Sequence, residues 1–167
     1  SDTEVPLEDR KPLHIEGAPV ALPLINRDLL LNDKVKLHIF ADQHHLLTLQ
    51  KMEGSDNLGL LAARNLQDCD IVTQYLGPRM AQVGAEDTNR QGNAMALHAG
   101  TVAPGRNESW LFAHFINASD WPQGKESTPR SNVVVRGGDG YVVVEGGVAT
   151  GQELLLRYGK DYYKKAA

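Results

Sequence analysis

Residues 111–120 read LFAHFINASD, an aromatic and apolar run that turns polar at Asn117. Trp110, Leu111, His114 and Phe115 recur at helical spacing, so a single short helix is expected over Asn107 to Phe115. Asn117 suits the end of such a helix, where asparagine is common. Residues 118–132 then read as a polar loop carrying Pro122 and Pro129. Later in the chain residues 153–159 read ELLLRYG, three leucines between Glu153 and Arg157, closed by a tyrosine and a glycine. It is expected to form the last strand, Glu153 to Tyr158.

Working outward, β signals dominate. Lys34 to Phe40, KVKLHIF, alternates polar and apolar residues as a half-buried strand does. His45 to Met52 is a second strand candidate. Asp56-Asn57-Leu58-Gly59 supplies turn chemistry and leads into an apolar strand through Ala63. Asp70 to Tyr75, DIVTQY, is rich in β-formers and stops at Gly77-Pro78. Residues 81–95 are loop or weak helix, and Asn93 to Leu97 with Gly100 to Val102 suggests a short hairpin. Asn132 to Arg136 and Tyr141 to Glu145 are strands joined by Gly137-Gly138-Asp139-Gly140. Near the start, Pro6, Pro12, Pro19 and Pro23 resist long helices, and an extended arm is expected there. Many short strands, few helices and long loops make a mainly β or α+β domain.

The bulk properties narrow the function. A chain of 167 residues suits one domain. Its formal charge of −4 carries no basic footprint for nucleic acid and mildly favours a cationic partner. No apolar run approaches the ~20 residues of a membrane-spanning helix. Cys69 is alone, so neither an internal disulfide nor a cysteine zinc cluster can form, and a reducing, intracellular setting is expected. His44 and His45 are adjacent in a strand, which sends them to opposite faces, and no metal site is expected. The glycines of 137–140 precede a strand rather than a helix, so they read as a hairpin turn and not as a dinucleotide-binding loop. No P-loop, HExxH or GxSxG motif occurs.

Four short motifs remain, in fixed order. They are Gly54 to Ala63 (GSDNLGLLAA), Ile71 to Gly77 (IVTQYLG), Phe112 to Ser119 (FAHFINAS) and Gly151 to Gly159 (GQELLLRYG), with Tyr162 and Tyr163 just behind. In this order they resemble the SET domain family of protein lysine methyltransferases, including its PR-type branch. Gly59-Leu60-Leu61-Ala62 looks like the family's first glycine motif and Tyr75-Leu76-Gly77 like its Tyr-x-Gly. Phe115-Ile116-Asn117-Ala118-Ser119 looks like its Phe-Ile-Asn-His-Ser, and Glu153-Leu154 with Tyr158-Gly159 like its closing motif. The resemblance covers roughly residues 46–163, leaving 1–45 as a flanking segment and 164–167 as a tail. Departures are Asn57 for the family's usual first glycine, Ala118 for its histidine, and Arg157 where an acidic or apolar residue is common.

The resemblance implies a fold of several short β-sheets with a C-terminal pseudoknot. It implies S-adenosylmethionine as cofactor, with S-adenosylhomocysteine as product. The substrate would be a lysine-bearing protein or peptide such as a histone tail, and the location nuclear if a histone is the substrate. Tyr158 and Tyr75 are the expected catalytic residues. Leu58, Gly59, Leu60, Asn117, Ala118, Tyr162 and Tyr163 are the expected cofactor contacts. An alternative is a SET-like interaction module of little or no activity, favoured by Asn57, Ala118 and Arg157. A third reading is a β-rich binding domain whose short motif matches are coincidental.

Overall fold

The computed structural model describes residues 13–16, 31–41, 44–75, 79–80, 95–97, 100–102, 112–120, 125, 128–136 and 140–159. The architecture is mainly β, in several short sheets, as the sequence pattern predicts. Strands β1 (Leu13–Glu16), β2 (Lys36–Ala41), β3 (His44–Lys51) and β4 (Leu58–Ala62) form an antiparallel sheet in that order. A second sheet has the order β5-β11-β10-β12-β9, from Ile71–Gln74, Tyr141–Val144, Val133–Arg136, Leu155–Leu156 and Asn117–Ala118. A third, small sheet joins β6 (Arg79–Met80), β8 (Gly100–Val102) and β7 (Met95–Leu97). Among the described residues no helix is long and apolar enough to cross a membrane.

The alternating pattern of β2 works as read. Leu37 and Ile39 point into the core opposite Leu49 and Leu47, while His38 lies opposite Thr48 on the other face. Val35, Leu37 and Ile39 share one core with Leu60, Tyr75, Ile116, Val142 and Leu154. A boundary drawn at residue 45 therefore falls inside β3, and apolar residues on its N-terminal side pack with those beyond it. The hairpin β10–β11 pairs Val133 with Val144 and Arg136 with Tyr141. Gly140 takes φ 76° at its turn, a region open to glycine, and its carbonyl accepts the Tyr75 N–H at 2.9 Å.

Two sequence expectations need correction. The helix expected over Asn107 to Phe115 has, among its described residues, one 3-10 turn at Phe112–Phe115, closed by Ile116 N–H donating to the Ala113 carbonyl. The chain cannot continue as a helix because Asn117 and Ala118 are drawn into β9. The last strand, expected over Glu153 to Tyr158, has regular ladder pairing only at Leu155–Leu156, with an isolated bridge from Glu153 to Leu61. The start of the expected helix and residues 81–94 lie outside the described residues.

Residues 144–156 stitch the two larger sheets together. They run back along residues 60–70 through Cys69 N–H to the Val144 carbonyl, a reciprocal Leu66–Val148 pair, Gly151 N–H to the Ala62 carbonyl and Leu154 N–H to the Leu60 carbonyl. The same segment then becomes β12, parallel to β10 on one side and to β9 on the other. Leu154, Leu155 and Leu156 are all buried, so both faces are covered here and the three leucines need not alternate with polar residues. Asn132 reinforces the crossing, its carboxamide donating to the Glu153 carbonyl at 2.9 Å and accepting from Leu155 N–H at 2.8 Å.

Candidate active site

The first strand of the site is β4. Its opening residue, Leu58, is buried, and the Leu58 carbonyl accepts a hydrogen bond from Asn117 Nδ2 at 2.9 Å. The same Nδ2 donates to Glu153 Oε2 at 2.6 Å. Asn117 therefore bridges two segments far from it in sequence, rather than capping the turn that precedes it. Its placement follows from β9, which sets Asn117 opposite Leu155 in a parallel pair.

Gly59 is neither in a turn nor at positive φ; it sits in β4 opposite Gln50. A Cβ built there would meet Met52 Sδ at 2.5 Å and Glu153 Oε2 at 2.7 Å. Any larger residue there would have to push aside the ends of these two side chains. Leu60 is wholly buried in the core next to it.

Burial and one amide shape the Glu153 carboxyl. Desolvation raises its pKa above the ordinary glutamate value, and the Asn117 hydrogen bond offsets this in part. Among the described residues no cation pairs with it.

Tyr158 is half-buried against the core and donates its phenol O–H to the Ile116 carbonyl in a short hydrogen bond. Its backbone is held by Asp120, whose Oδ1 accepts Tyr158 N–H at 3.1 Å and whose Oδ2 accepts Gly159 N–H at 3.0 Å. Asp120 is fully buried. The 3-10 turn and the residues after it thus position Tyr158 twice, by a carbonyl on the phenol and a carboxylate on the main chain.

Tyr75 follows β5 and is buried. Its ring meets His114 edge-on, with centroids 4.8 Å apart at 87°. Desolvation, then the nearby Tyr158, push its pKa well above the ordinary tyrosine value near 10. Tyr158 is therefore close enough to oppose the ionisation of Tyr75. A folded-state pKa above the unfolded one means that the unfolded chain loses this proton first. Stability is then fully present below about pH 10 and falls as pH rises beyond it, by up to ~1.4 kcal/mol per pH unit. Tyr75→Phe is expected to remove that share of the alkaline slope. Urea unfolding of both proteins between about pH 9 and 11 measures it, and identical slopes would refute the buried placement.

The structure thus brings Asn117 on β9 to Leu58 at the start of β4, with Ala118 and Gly59-Leu60 next along the same strands, and Tyr158 acts on Tyr75 electrostatically. Tyr162 and Tyr163 lie outside the described residues. Sequence reasoning missed Asp120, Met52, Asn132 and the side-chain role of Glu153. Asp120 reads as a polar residue entering a loop; its partners are 38 and 39 residues away, so no local signal marks it. Away from this site, His38 and His45 stack edge-on across β2 and β3, with Nδ1 and Nε2 2.9 Å apart. Among the described residues no group of three or more histidine, cysteine or acidic side chains is placed to hold a metal ion.

Comparison with known proteins gives outline likeness only. No family model matches the chain, and no curated protein matches it by sequence. Among solved structures it is similar to a chain of an inhibitor-bound, humanized mutant of the Chaetomium thermophilum Polycomb Repressive Complex 2, with TM-score 0.48 and 18% identity, covering 68% of this chain. The match spans only 15% of that chain. It is also similar to the methyltransferase domain of human PR domain-containing protein 2, with TM-score 0.44 and 14% identity, covering 69% of this chain and 78% of that one.

Proposed function

We propose that this protein is an S-adenosylmethionine-dependent protein lysine N-methyltransferase. One observation carries the reading. The segments that resemble the SET motifs converge: Asn117 bonds to Leu58 and Glu153, and Tyr158 bonds to Ile116 beside Tyr75.

The residues present fit the cofactor's zwitterionic end. Its ammonium needs acceptors, and the Leu58 carbonyl and Asn117 Oδ1 offer them, while both Asn117 Nδ2 hydrogens are given to Leu58 and Glu153. β9 is the edge strand of its sheet, so the main chain at Ala118 is suited to reading an adenine edge. Tyr162 and Tyr163 are proposed to add ring contacts from the chain end. When bound, the cofactor supplies an electrophilic methyl group on a sulfonium.

The protein's task is then to present a neutral amine. A free lysine has a pKa of ~10.4, and apolar burial disfavours its ammonium form. The buried surroundings of Tyr75 provide such a setting. In this reading the Tyr158 phenol, bonded to the Ile116 carbonyl, orients the amine, and Tyr75 is the second wall of the channel. Holding the reacting groups in line is the main source of rate. A mildly acidic chain, at −4, suits a basic peptide such as a histone tail as substrate.

Calorimetric titration of S-adenosylmethionine tests this. Saturable binding is expected, weakened at least about tenfold in Asn117→Ala, together with methylation of lysine peptides. No binding, with or without such a peptide, would overturn the reading. It would favour the interaction module, for which one observation speaks: Met52 and Glu153 take the space over Gly59.

A further inference from the structure

We infer that Glu153 is the anionic group that receives the α-ammonium of the cofactor's amino-acid end. This rests on the methyltransferase reading and goes beyond the expected cofactor contacts, none of which carries a negative charge.

Three observations point to it. Glu153 Oε2 lies 2.7 Å from the position of a Cβ on Gly59, so the carboxylate stands against the backbone that the glycine motif offers to a ligand. Asn117 Nδ2 lies 2.6 Å from that oxygen and 2.9 Å from the Leu58 carbonyl, so two acceptors converge on one point. A carboxylate offers about four acceptor sites and a carbonyl two, and one amide group satisfies only part of that capacity. Finally, the carboxylate is half-buried beside a neutral amide, with no cation against it among the described residues. A desolvated carboxylate is at a disadvantage until a positive charge arrives, and its raised pKa reports that disadvantage. An ammonium group brings three donors and the missing charge.

The main chain explains why the residue is so placed. Glu153 forms an isolated bridge to Leu61, and Leu154 N–H donates to the Leu60 carbonyl. This docks the segment directly on β4, with the Glu153 side chain turned along it toward Gly59. The remaining donors at the spot are neutral, so the charge of Glu153 distinguishes a ligand with an ammonium from one without.

The test uses two ligands that differ only in that end. S-adenosylhomocysteine carries the amino-acid group; methylthioadenosine keeps the nucleoside thioether and lacks it. Wild type is expected to bind the first more tightly than the second. In Glu153→Gln, affinity for S-adenosylhomocysteine should fall about tenfold or more, with methylthioadenosine affinity unchanged. That unchanged affinity also reports an intact fold. Glu153→Asp keeps the charge on a shorter arm and should give an intermediate loss, again for S-adenosylhomocysteine alone; it serves if the glutamine variant does not fold. Equal losses for both ligands would make Glu153 a structural residue and overturn the inference. Unaltered affinity for both would overturn it too and leave the methyltransferase reading standing. Wild type binding neither ligand would overturn both.

Discussion

Asp120→Ala is expected to lower the unfolding free energy by about 2–4 kcal/mol. The carboxylate is fully buried and accepts the main-chain N–H groups of Tyr158 and Gly159. Hydrogen bonds to a charged acceptor are worth about 1.5–3 kcal/mol each, and half-buried donors left without a partner recover some of that from water. Asp120→Asn keeps a single acceptor oxygen and should lose roughly half as much. The effect should reach beyond stability. Without the clamp, the segment carrying Tyr158 still has its phenol bond and β12 but loses two main-chain anchors. Urea unfolding at neutral pH gives the first quantity. A loss under about 1 kcal/mol for Asp120→Ala would show that this carboxylate does not fasten the chain end.

Tyr158→Phe carries the largest expected effect on activity. The variant keeps the ring against the core and deletes one oxygen, so the fold should survive with a loss of about 1 kcal/mol for the missing bond to Ile116. Methyl transfer should fall about a hundredfold or more, the scale on which a lost orienting or proton-handling group acts. S-adenosylhomocysteine affinity should stay near that of wild type, because the phenol bonds to Ile116 rather than to the Asn117 cluster. Single-turnover transfer to a lysine peptide, paired with a binding titration, separates the two. Unchanged turnover would remove Tyr158 from the catalytic role. A loss confined to binding would move it to the cofactor.

The two variants also separate ways in which the same tyrosine is positioned. Asp120 acts on its main chain and Ile116 on its hydroxyl. A hundredfold loss in Tyr158→Phe with a modest one in Asp120→Asn would place the function in the phenol itself.

How legible this was depends on the range of each signal. The strand β2 was readable because alternation is local: each residue's face follows from its position in the pleat. The β10–β11 hairpin was readable because glycines separate two β-branched runs. Of the helix expected over Asn107 to Phe115, the described part, Phe112–Phe115, is a 3-10 turn. Spacing that puts His114 and Phe115 side by side is satisfied equally by one 3-10 turn whose exit is pulled into β9. Glu153 to Tyr158 looked like an ordinary strand, but half of its support comes from side chains, Asn132 and Asp120, on other segments.

By itself, then, the sequence determined the mainly β class, the positions of most strands and the residue types available for a site. Those follow from periodicity and turn chemistry, which act over a few neighbours. Only the tertiary structure decided that Asn117 would meet Leu58 and Glu153, 59 and 36 residues away, and that Asp120 would hold Tyr158. The cause is the course of residues 144–156, which pair first with β4 and then between β9 and β10. Their hydrogen bonds join main-chain groups common to every residue, so the side chains record that the segment is buried and not which strands bury it.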